Sequence, residues 1–232
     1  RCLGAASKSP TLVYEKIGES QAWTGGAGIV AEHCRAAGAD VTLTTAFETL
    51  KERIVVEGVK VCEFHSKVAE TTVVPYALRD IDVVIFADFG HGMFTPPRTR
   101  QWIEMYPRAL RAADSQTTDI CWGNILDFEE CDLLFANERE ARFALRDQQK
   151  PVEDLFADLA RRANLARGIF LKRGAAGLDI RGDDGLIKLP AYATQPIVDP
   201  IGAGDALLAY ATLTYAVTKD LDHAGQIGSH AA

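Results

Sequence analysis

The residues best suited to chemistry lie in a glycine-rich segment near the end of the sequence, Asp199-Pro-Ile-Gly-Ala-Gly-Asp205. Small residues at a turn that opens a helix leave consecutive backbone N–H groups facing one point, where the helix carries about half a positive charge. Such a turn can hold a phosphate or a transferring phosphoryl group. Asp205 would lie beside that charge and could accept a proton from a substrate hydroxyl. The same spacing fits Asp199 and Asp205 as ordinary helix caps, so both interpretations stay open.

Short apolar runs that alternate with longer amphipathic stretches predict the elements that would position this segment. From about residue 80 the pattern is typical of strand-helix units around a parallel sheet. Residues 205–218 are rich in Ala and Leu without a charge after Asp205, which predicts a buried helix. A β-branched run with a central turn at 53–64 predicts a hairpin. The other predicted strands are 82–88, 132–136 and 168–172, and the other predicted helices are 97–113 and 151–165.

Composition bounds the class of protein. The 232 residues, 47% of them hydrophobic, can bury one sizeable core, which favours a single domain. A net charge of -7 without a dense Lys/Arg run argues against a nucleic-acid partner. The five scattered cysteines form no C-x-x-C pair, which predicts a reduced, cytoplasmic protein. No apolar run approaches the roughly 20 residues that span a bilayer, so we expect no membrane partner.

The glycine-rich segment resembles the D-x-x-G-A-G-D signature of the ribokinase-like (pfkB) carbohydrate kinases. In that family the last aspartate is the catalytic base and the preceding amides form an anion hole. The resemblance implies these roles for Asp205 and for Gly202, Ala203 and Gly204. Other segments match in the same order from about Gly25 to Ala232, and the nearest branch is that of the heptose-phosphate kinases.

The resemblance also implies residues that hold the acceptor sugar. Gly25 and Gly26 match an N-terminal Gly-Gly signature, although such a pair alone is more often a simple turn. Asp88 lies in Ala-Asp-Phe-Gly-His-Gly, which is similar to the strand-end D-Y-G-K-G motif; alone, it would be a common turn former. Lys51 and Arg53 match a T-x-K-x-R element near the substrate, and the alternative is an exposed, charged strand edge.

A second group of residues is implied in binding ATP and Mg²⁺, the cofactors of the family. Asn137 and Glu140 resemble the N-x-x-E motif that organises magnesium and its waters, and oxygen ligands suit this hard cation. The same spacing is that of a capping box, and both interpretations can hold together. The residues implied in nucleotide contacts are Lys172, Arg173, Gly174, Gly177, Asp199 and His230. A lone G-x-x-G turn would otherwise indicate a hairpin.

The resemblance implies an α/β fold: a ribokinase-like three-layer sandwich with a mostly parallel central sheet, helices on both faces and a small β lid. We expect one kinase domain over 1–232, with the lid at about 48–78. The sequence lacks the family's opening strand and is short at the junctions 47–48 and 66–67, where we expect segments of the family to be missing.

The predicted function is transfer of a phosphoryl group from ATP to a hydroxyl of a sugar or sugar phosphate. Ile29 stands where the family usually has a sugar-binding asparagine, and Lys172 stands where it usually has a threonine. These departures motivate an alternative, a catalytically silent nucleotide- or sugar-binding homologue. A homodimer through the β lid is compatible with either function.

Overall fold

The structure, a computed structural model, describes residues 2–5, 12–14, 25–45, 47–56, 59–70, 78–117, 123–163, 166–192 and 202–232. Asp199 lies outside these residues. The chain divides into two compact units, of which the first comprises Arg1–Thr24 with Thr45–Val73 and the second Gly25–Thr44 with Val74–Ala232.

The first unit contains two antiparallel strand pairs. Strand β1 (Cys2–Ala5) pairs with β2 (Leu12–Tyr14), and β3 (Phe47–Val56) pairs with β4 (Val59–Glu70). The second pair confirms the predicted hairpin and extends it at both ends, since Phe47 is opposite Glu70. Whether the hairpin is a lid, and whether the whole chain is one domain, stay predictions.

The second unit is built around a six-stranded sheet. Its strand order is β10-β9-β8-β7-β6-β5, in which β5 to β8 are parallel and the last two strands are antiparallel. The strands are β5 (Val83–Asp88), β6 (Leu110–Ser115), β7 (Leu133–Asn137), β8 (Gly168–Lys172), β9 (Leu178–Gly182) and β10 (Gly185–Leu189). The strands predicted at 82–88, 132–136 and 168–172 are confirmed as β5, β7 and β8.

Helices cover this sheet. The helices are α1 (Ala27–Ala36), α2 (Pro96–Glu104), α3 (Glu138–Leu145), α4 (Val152–Arg162), α5 (Ala203–Thr218) and α6 (Leu221–Ala231). Helices α1, α5 and α6 share one core with Leu133, Phe135 and Phe170 of the central strands. Leu134 alternates with these residues and is also buried, so both faces of the sheet are covered. Within the described ranges, no helix combines the length and apolar character needed to cross a membrane.

The helix predicted over 97–113 is wrong in its second half, because α2 ends before Pro107 and strand β6 follows. Proline has no backbone N–H for a helical bond and disfavours helical geometry at Tyr106, which precedes it. Ala112 and Ala113, at the end of the predicted helix, are fully buried in β6 between two neighbouring strands. Small side chains suit that crowded position. The helices predicted at 151–165 and 205–218 are confirmed as α4 and α5; α4 ends at Arg162, and residues 164–165 lie outside the described ranges.

The first residue of α6 packs onto two glycines of the sheet. Gly168 of β8 and Gly182 of β9 are directly opposite each other. A Cβ at Gly168 would lie 2.5 Å from Leu221 Cδ2, and a Cβ at Gly182 would overlap Leu221 Cδ1. Because neither glycine has a side chain, the pair leaves the space that the Leu221 side chain fills.

Candidate active site

Polar residues gather where the parallel strands end. Asp88, Asn137 and Lys172 are the last residues of β5, β7 and β8, and Asp114 is next to last in β6. The strand pairing places Asn137 opposite Lys172 and Asp114 opposite Phe135. The carboxyl edge of an open α/β sheet is where such folds bind ligands, so this edge is the candidate site.

The glycine-rich turn opens helix α5. Gly202 precedes the helix with φ +91°, a left-handed conformation that favours glycine. The first helical bond runs from the Ala206 N–H to the Gly202 carbonyl at 2.9 Å. The amides of Ala203 and Gly204 come before it and have no carbonyl to reach within the helix. Asp205 lies in this first turn, where a carboxylate is stabilised by the helix dipole.

Lys172 connects this turn to two buried carboxylates. Its Nζ lies 2.6 Å from Asp114 Oδ2 and 3.7 Å from Glu140 Oε2. A Cβ built on Gly204 would be 3.6 Å from the same nitrogen, so the ammonium lies beside the first turn of α5. Asp205 is near enough to act on the charge of Lys172. The site therefore combines a helix N-terminus, one fixed ammonium and three carboxylates.

The pKa values of this cluster follow from burial and charge. Burial would lower the pKa of Lys172, but the charges of Asp114 and Glu140 outweigh it and raise the pKa, so the ammonium is kept. Burial raises the pKa of Glu140 to about 7; Lys172 opposes this shift and Asp114 adds to it. The net charge of the cluster therefore changes near neutral pH.

Asn137 and Glu140 form a complete capping box at the start of α3. The Asn137 side chain accepts from the Glu140 N–H at 2.9 Å, and Glu140 Oε2 accepts from the Asn137 N–H at 2.7 Å. The capping interpretation of this spacing is confirmed. The role of these residues toward magnesium stays a prediction.

The donor set at this edge suits magnesium held partly through water. In the described part of the chain, no cluster of three or more His, Cys, Asp or Glu side chains is arranged to hold a metal. Magnesium needs only one or two carboxylates, because it keeps several waters. Glu140 supplies one carboxylate, and Asp114 Oδ1 is a buried oxygen without a hydrogen-bond partner in the described part of the chain. Oxygen donors of this kind fit the ion.

Asp88 is held rigidly at the end of β5. Its Oδ1 accepts from the Gly90 N–H at 2.9 Å, and its Oδ2 accepts from the Ser115 hydroxyl at 2.8 Å. Burial raises the pKa of Asp88, the hydrogen bonds from Gly90 and Ser115 oppose that shift, and Asp114 adds to it. Gly123 closes this pocket, since a Cβ there would lie 2.7 Å from Asp88 Oδ2. The carboxylate is therefore positioned by the fold and only 6% exposed.

The N-terminal glycines lie beside two of these segments. Gly26 precedes α1 with φ +57°, and a Cβ there would be 3.7 Å from the ring of Phe89, which follows Asp88. A Cβ on Gly202 would be 3.5 Å from Ile29 Cδ1. The start of α1 is thus near both the end of β5 and the start of α5.

The nucleotide-binding candidates divide between the turn after β8 and helix α6. Arg173 forms a 2.6 Å ion pair with Asp179 of β9. Gly174 starts a 3-10 turn, and Gly177, with φ +90°, closes the connection between β8 and β9. His230 lies on α6, where its ring stacks on Tyr192 with centroids 4.0 Å apart. The G-x-x-G hairpin interpretation is confirmed, and the nucleotide contacts stay predictions.

Lys51 and Arg53 lie in the first unit on strand β3. Both are exposed, and Arg53 Nε donates to Glu63 Oε2 on the paired strand at 2.7 Å. The alternative of an exposed, charged strand therefore agrees with their local environment. Their role toward substrate stays a prediction.

Two residues of the site were absent from the sequence-based candidates. Asp114 and Ser115 belong to β6, which the sequence pattern placed in or after a helix. The signal that could have found them is the run Leu-Arg-Ala-Ala-Asp-Ser, a short apolar strand that ends in polar residues. Once β6 is recognised as a strand of the parallel sheet, Asp114 is placed at the carboxyl edge of the sheet, where such folds bind ligands.

Family comparison decides the class of protein. The family model described as "pfkB family carbohydrate kinase" matches residues 113–232, just over half of the chain. The chain belongs to this family of carbohydrate kinases. The matched region contains Asp114, Asn137, Lys172 and Asp205. The resemblance based on motifs is therefore confirmed, while the heptose-phosphate-kinase branch stays a prediction. No curated protein matches the pfkB-family chain.

Solved structures share the fold of this pfkB-family chain. The tetrameric inhibited form of phosphofructokinase-2 from Escherichia coli is 15% identical with a TM-score of 0.53, covering 64% of this chain and 50% of its own. A ribokinase from Thermotoga maritima is 14% identical with a TM-score of 0.51, covering 64% and 48%. The chain thus spans about half the length of these structures. The α/β, ribokinase-like sandwich with a mostly parallel sheet is confirmed.

Proposed function

We propose that this pfkB-family chain transfers the terminal phosphoryl group of ATP to a hydroxyl of a sugar or sugar phosphate. One observation supports the proposal. Asp205 lies in the first turn of α5, whose opening amides have no acceptor within the helix, and this turn lies beside the ammonium of Lys172 at the carboxyl edge of the sheet. Positive potential from amides and an ammonium suits a phosphoryl group, and a carboxylate suits the removal of a hydroxyl proton.

The proposed reaction is an in-line displacement. The acceptor oxygen attacks the terminal phosphorus, the bond to the bridging oxygen breaks, and ADP leaves. Asp205 takes the proton that the acceptor hydroxyl loses. The amides of Gly202, Ala203 and Gly204 stabilise the charge on the transferring group, as fixed donors do when charge develops.

Other residues of the site bind and orient in this proposal. Asp88 and the Gly25-Gly26 loop hold the acceptor, and the rigid bonds from Gly90 and Ser115 to Asp88 support that role. Magnesium, when bound with ATP, neutralises charge on the phosphates. Asn137 and Glu140 orient its waters. Among the residues that the structure describes, Cys34, Cys62 and Cys131 are free thiols, which favours a cytoplasmic site of action, where ATP is available.

Substitution of the proposed base tests the function. Asp205→Asn is expected to lower turnover about 10² to 10⁴-fold, with nucleotide binding retained. The assay measures ATP consumption with a panel of sugars, sugar phosphates and nucleosides. Asp222→Asn is the matched control, because Asp222 also lies in a first helical turn, that of α6, and accepts a hydrogen bond from the Gln226 side chain on the same helix. Equal activity of both variants would contradict the role of Asp205.

A nucleotide- or sugar-binding homologue without turnover is the second candidate. Its supporting observation is the apolar side chain of Ile29, which lies beside Gly202 where the family usually has an asparagine. Calorimetric binding of ATP or a sugar, without ADP formation for any acceptor in the panel, would favour this candidate.

A further inference from the structure

The ammonium of Lys172 occupies the centre of the acidic cluster. It lies 2.6 Å from Asp114 Oδ2 and 3.7 Å from Glu140 Oε2, and these residues come from β6 and the start of α3. Asp114 and Glu140 are only 3% and 4% exposed. Buried carboxylates require a compensating charge, and Lys172 supplies it from within the chain.

One oxygen of this cluster has an unused acceptor site. Asp114 Oδ1 is buried and has no hydrogen-bond partner among the residues that the structure describes, although Oδ2 of the same carboxylate binds Lys172. Two buried carboxylates with spare oxygen lone pairs are ligands that a hard divalent cation accepts. The lysine nitrogen, however, already lies between them.

We propose that the ammonium of Lys172 takes the place of a resident divalent cation at this edge of the sheet, so that magnesium enters only together with the nucleotide. Without nucleotide, the ammonium of Lys172 offsets part of the negative charge of Asp114 and Glu140. With ATP, the phosphates bring further negative charge and the ion that accompanies it. The consequence for turnover rests on the proposed kinase function, whereas the metal-binding property of the free protein does not.

Removal of the ammonium tests this inference. Lys172→Met keeps an unbranched side chain but leaves the two carboxylates without their compensating cation. Binding is measured above pH 8, because Glu140 loses the charge that opposed the rise of its pKa. In the absence of nucleotide, the variant is expected to bind Mn²⁺, a paramagnetic substitute for Mg²⁺, at least about tenfold more tightly than the wild type does. Electron paramagnetic resonance of free Mn²⁺ gives both dissociation constants. The double variant Asp114→Asn with Lys172→Met should lose the gain.

Lys150 offers a matched control. Its ammonium also lies between two carboxylates, those of Asp147 and Asp158, but this cluster is partly exposed. Lys150→Met is expected to bind Mn²⁺ no more tightly than the wild type, because water reaches these carboxylates and Asp158 keeps its ion pair with Arg161. An equal gain in both variants would show a general charge effect and overturn the inference.

Folding of the variant is part of the test. If Lys172→Met is unfolded without metal and folds in millimolar Mn²⁺, the ion replaces the ammonium and the inference is supported. If the variant is unfolded in both conditions, or folded with the Mn²⁺ affinity of the wild type, the inference is wrong. Absence of ATP turnover by the wild type would instead contradict the proposed function and leave these binding results interpretable.

Discussion

Lys172 Nζ and Asp114 Oδ2 form a 2.6 Å ion pair that joins strands β8 and β6 across the end of β7. The two strands are not neighbours in the sheet, so no backbone hydrogen bond connects them. The ion pair therefore couples the positions of three strand ends, from which the candidate site is built.

The strength of this pair gives a stability prediction. Asp114→Asn is expected to lower the free energy of unfolding by about 3 kcal/mol, because it removes the charge that is directly hydrogen-bonded to the ammonium at 2.6 Å, while Glu140 lies at 3.7 Å. Urea denaturation measures the loss. Glu138→Gln breaks the 2.7 Å pair between Glu138 and Arg142 on the surface of α3 and should cost less than about 1 kcal/mol. Similar losses of unfolding free energy for both variants would contradict the claim that burial makes the Lys172–Asp114 pair the stronger one.

Asp88 gives a prediction about pH. Because burial raises its pKa in the folded protein, its neutral form contributes stability that is complete below about pH 4 and is lost as the pH rises through the folded value. In Asp88→Asn no ionisation takes place at this position, so the loss of stability with rising pH is removed. The asparagine amide oxygen can still accept a hydrogen bond from the Gly90 N–H. The variant should gain stability relative to the wild type as the pH rises from 4, measured by urea unfolding at each pH. A difference that does not change with pH would contradict the prediction.

Glu140 allows capping to be separated from a role toward magnesium. Glu140→Gln keeps the acceptor for the Asn137 N–H, since glutamine serves equally in a capping box. We expect unchanged or higher stability at pH 8, where the wild-type group is ionised, and a 10- to 100-fold higher Mg²⁺ requirement for ATP turnover, roughly the cost of losing an orienting group near a metal. The measurement is turnover against Mg²⁺ concentration. Glu138→Gln is the control, and equal Mg²⁺ requirements of both variants would leave capping as the only role.

The turn after β8 gives a prediction from geometry. Gly177 has φ +90° and ψ -134°, which only glycine adopts readily, and a Cβ there would overlap the Leu189 carbonyl oxygen. Gly177→Ala is expected to cost about 3 to 5 kcal/mol of unfolding free energy. Gly174→Ala in the same turn should cost only about 1 kcal/mol, since Gly174 has φ +55° and open space around its Cα. Thermal unfolding compares the two, and equal shifts in Tm would be the contrary result.

Much of the second unit could be predicted from the sequence because its strands are buried on both faces. Continuous apolar runs such as residues 133–136 then mark strands directly. Strand β6 was missed because its alanines also suit a helix and only its two neighbouring strands decide between them. The antiparallel strands β9 and β10 were missed because each is only five residues long and its apolar run is interrupted by charged residues, Asp179 and Arg181 in β9 and Lys188 in β10.

The candidate site could be predicted only where a local motif marks it. Asp205 and the turn before it are contiguous, so their spacing raised phosphoryl chemistry beside helix capping, and the family resemblance of the same segment decided between them. Lys172 and Asp114 are 58 residues apart, and their ion pair exists only because the strand order places β6 and β8 on either side of β7. The contact of Ile29 with the Gly202 turn likewise depends on how α1 and α5 pack.

The fit of Leu221 over two facing glycines selects one alignment of the sheet. If β9 slipped by one residue along β8, a residue with a side chain would replace Gly182 opposite Gly168 and would collide with the leucine. Helix α6 can dock fully only on the correctly aligned strands. Helix α6 also packs against α5, which contains Asp205. An error in strand alignment far from Asp205 would therefore displace α5 and Asp205 with it.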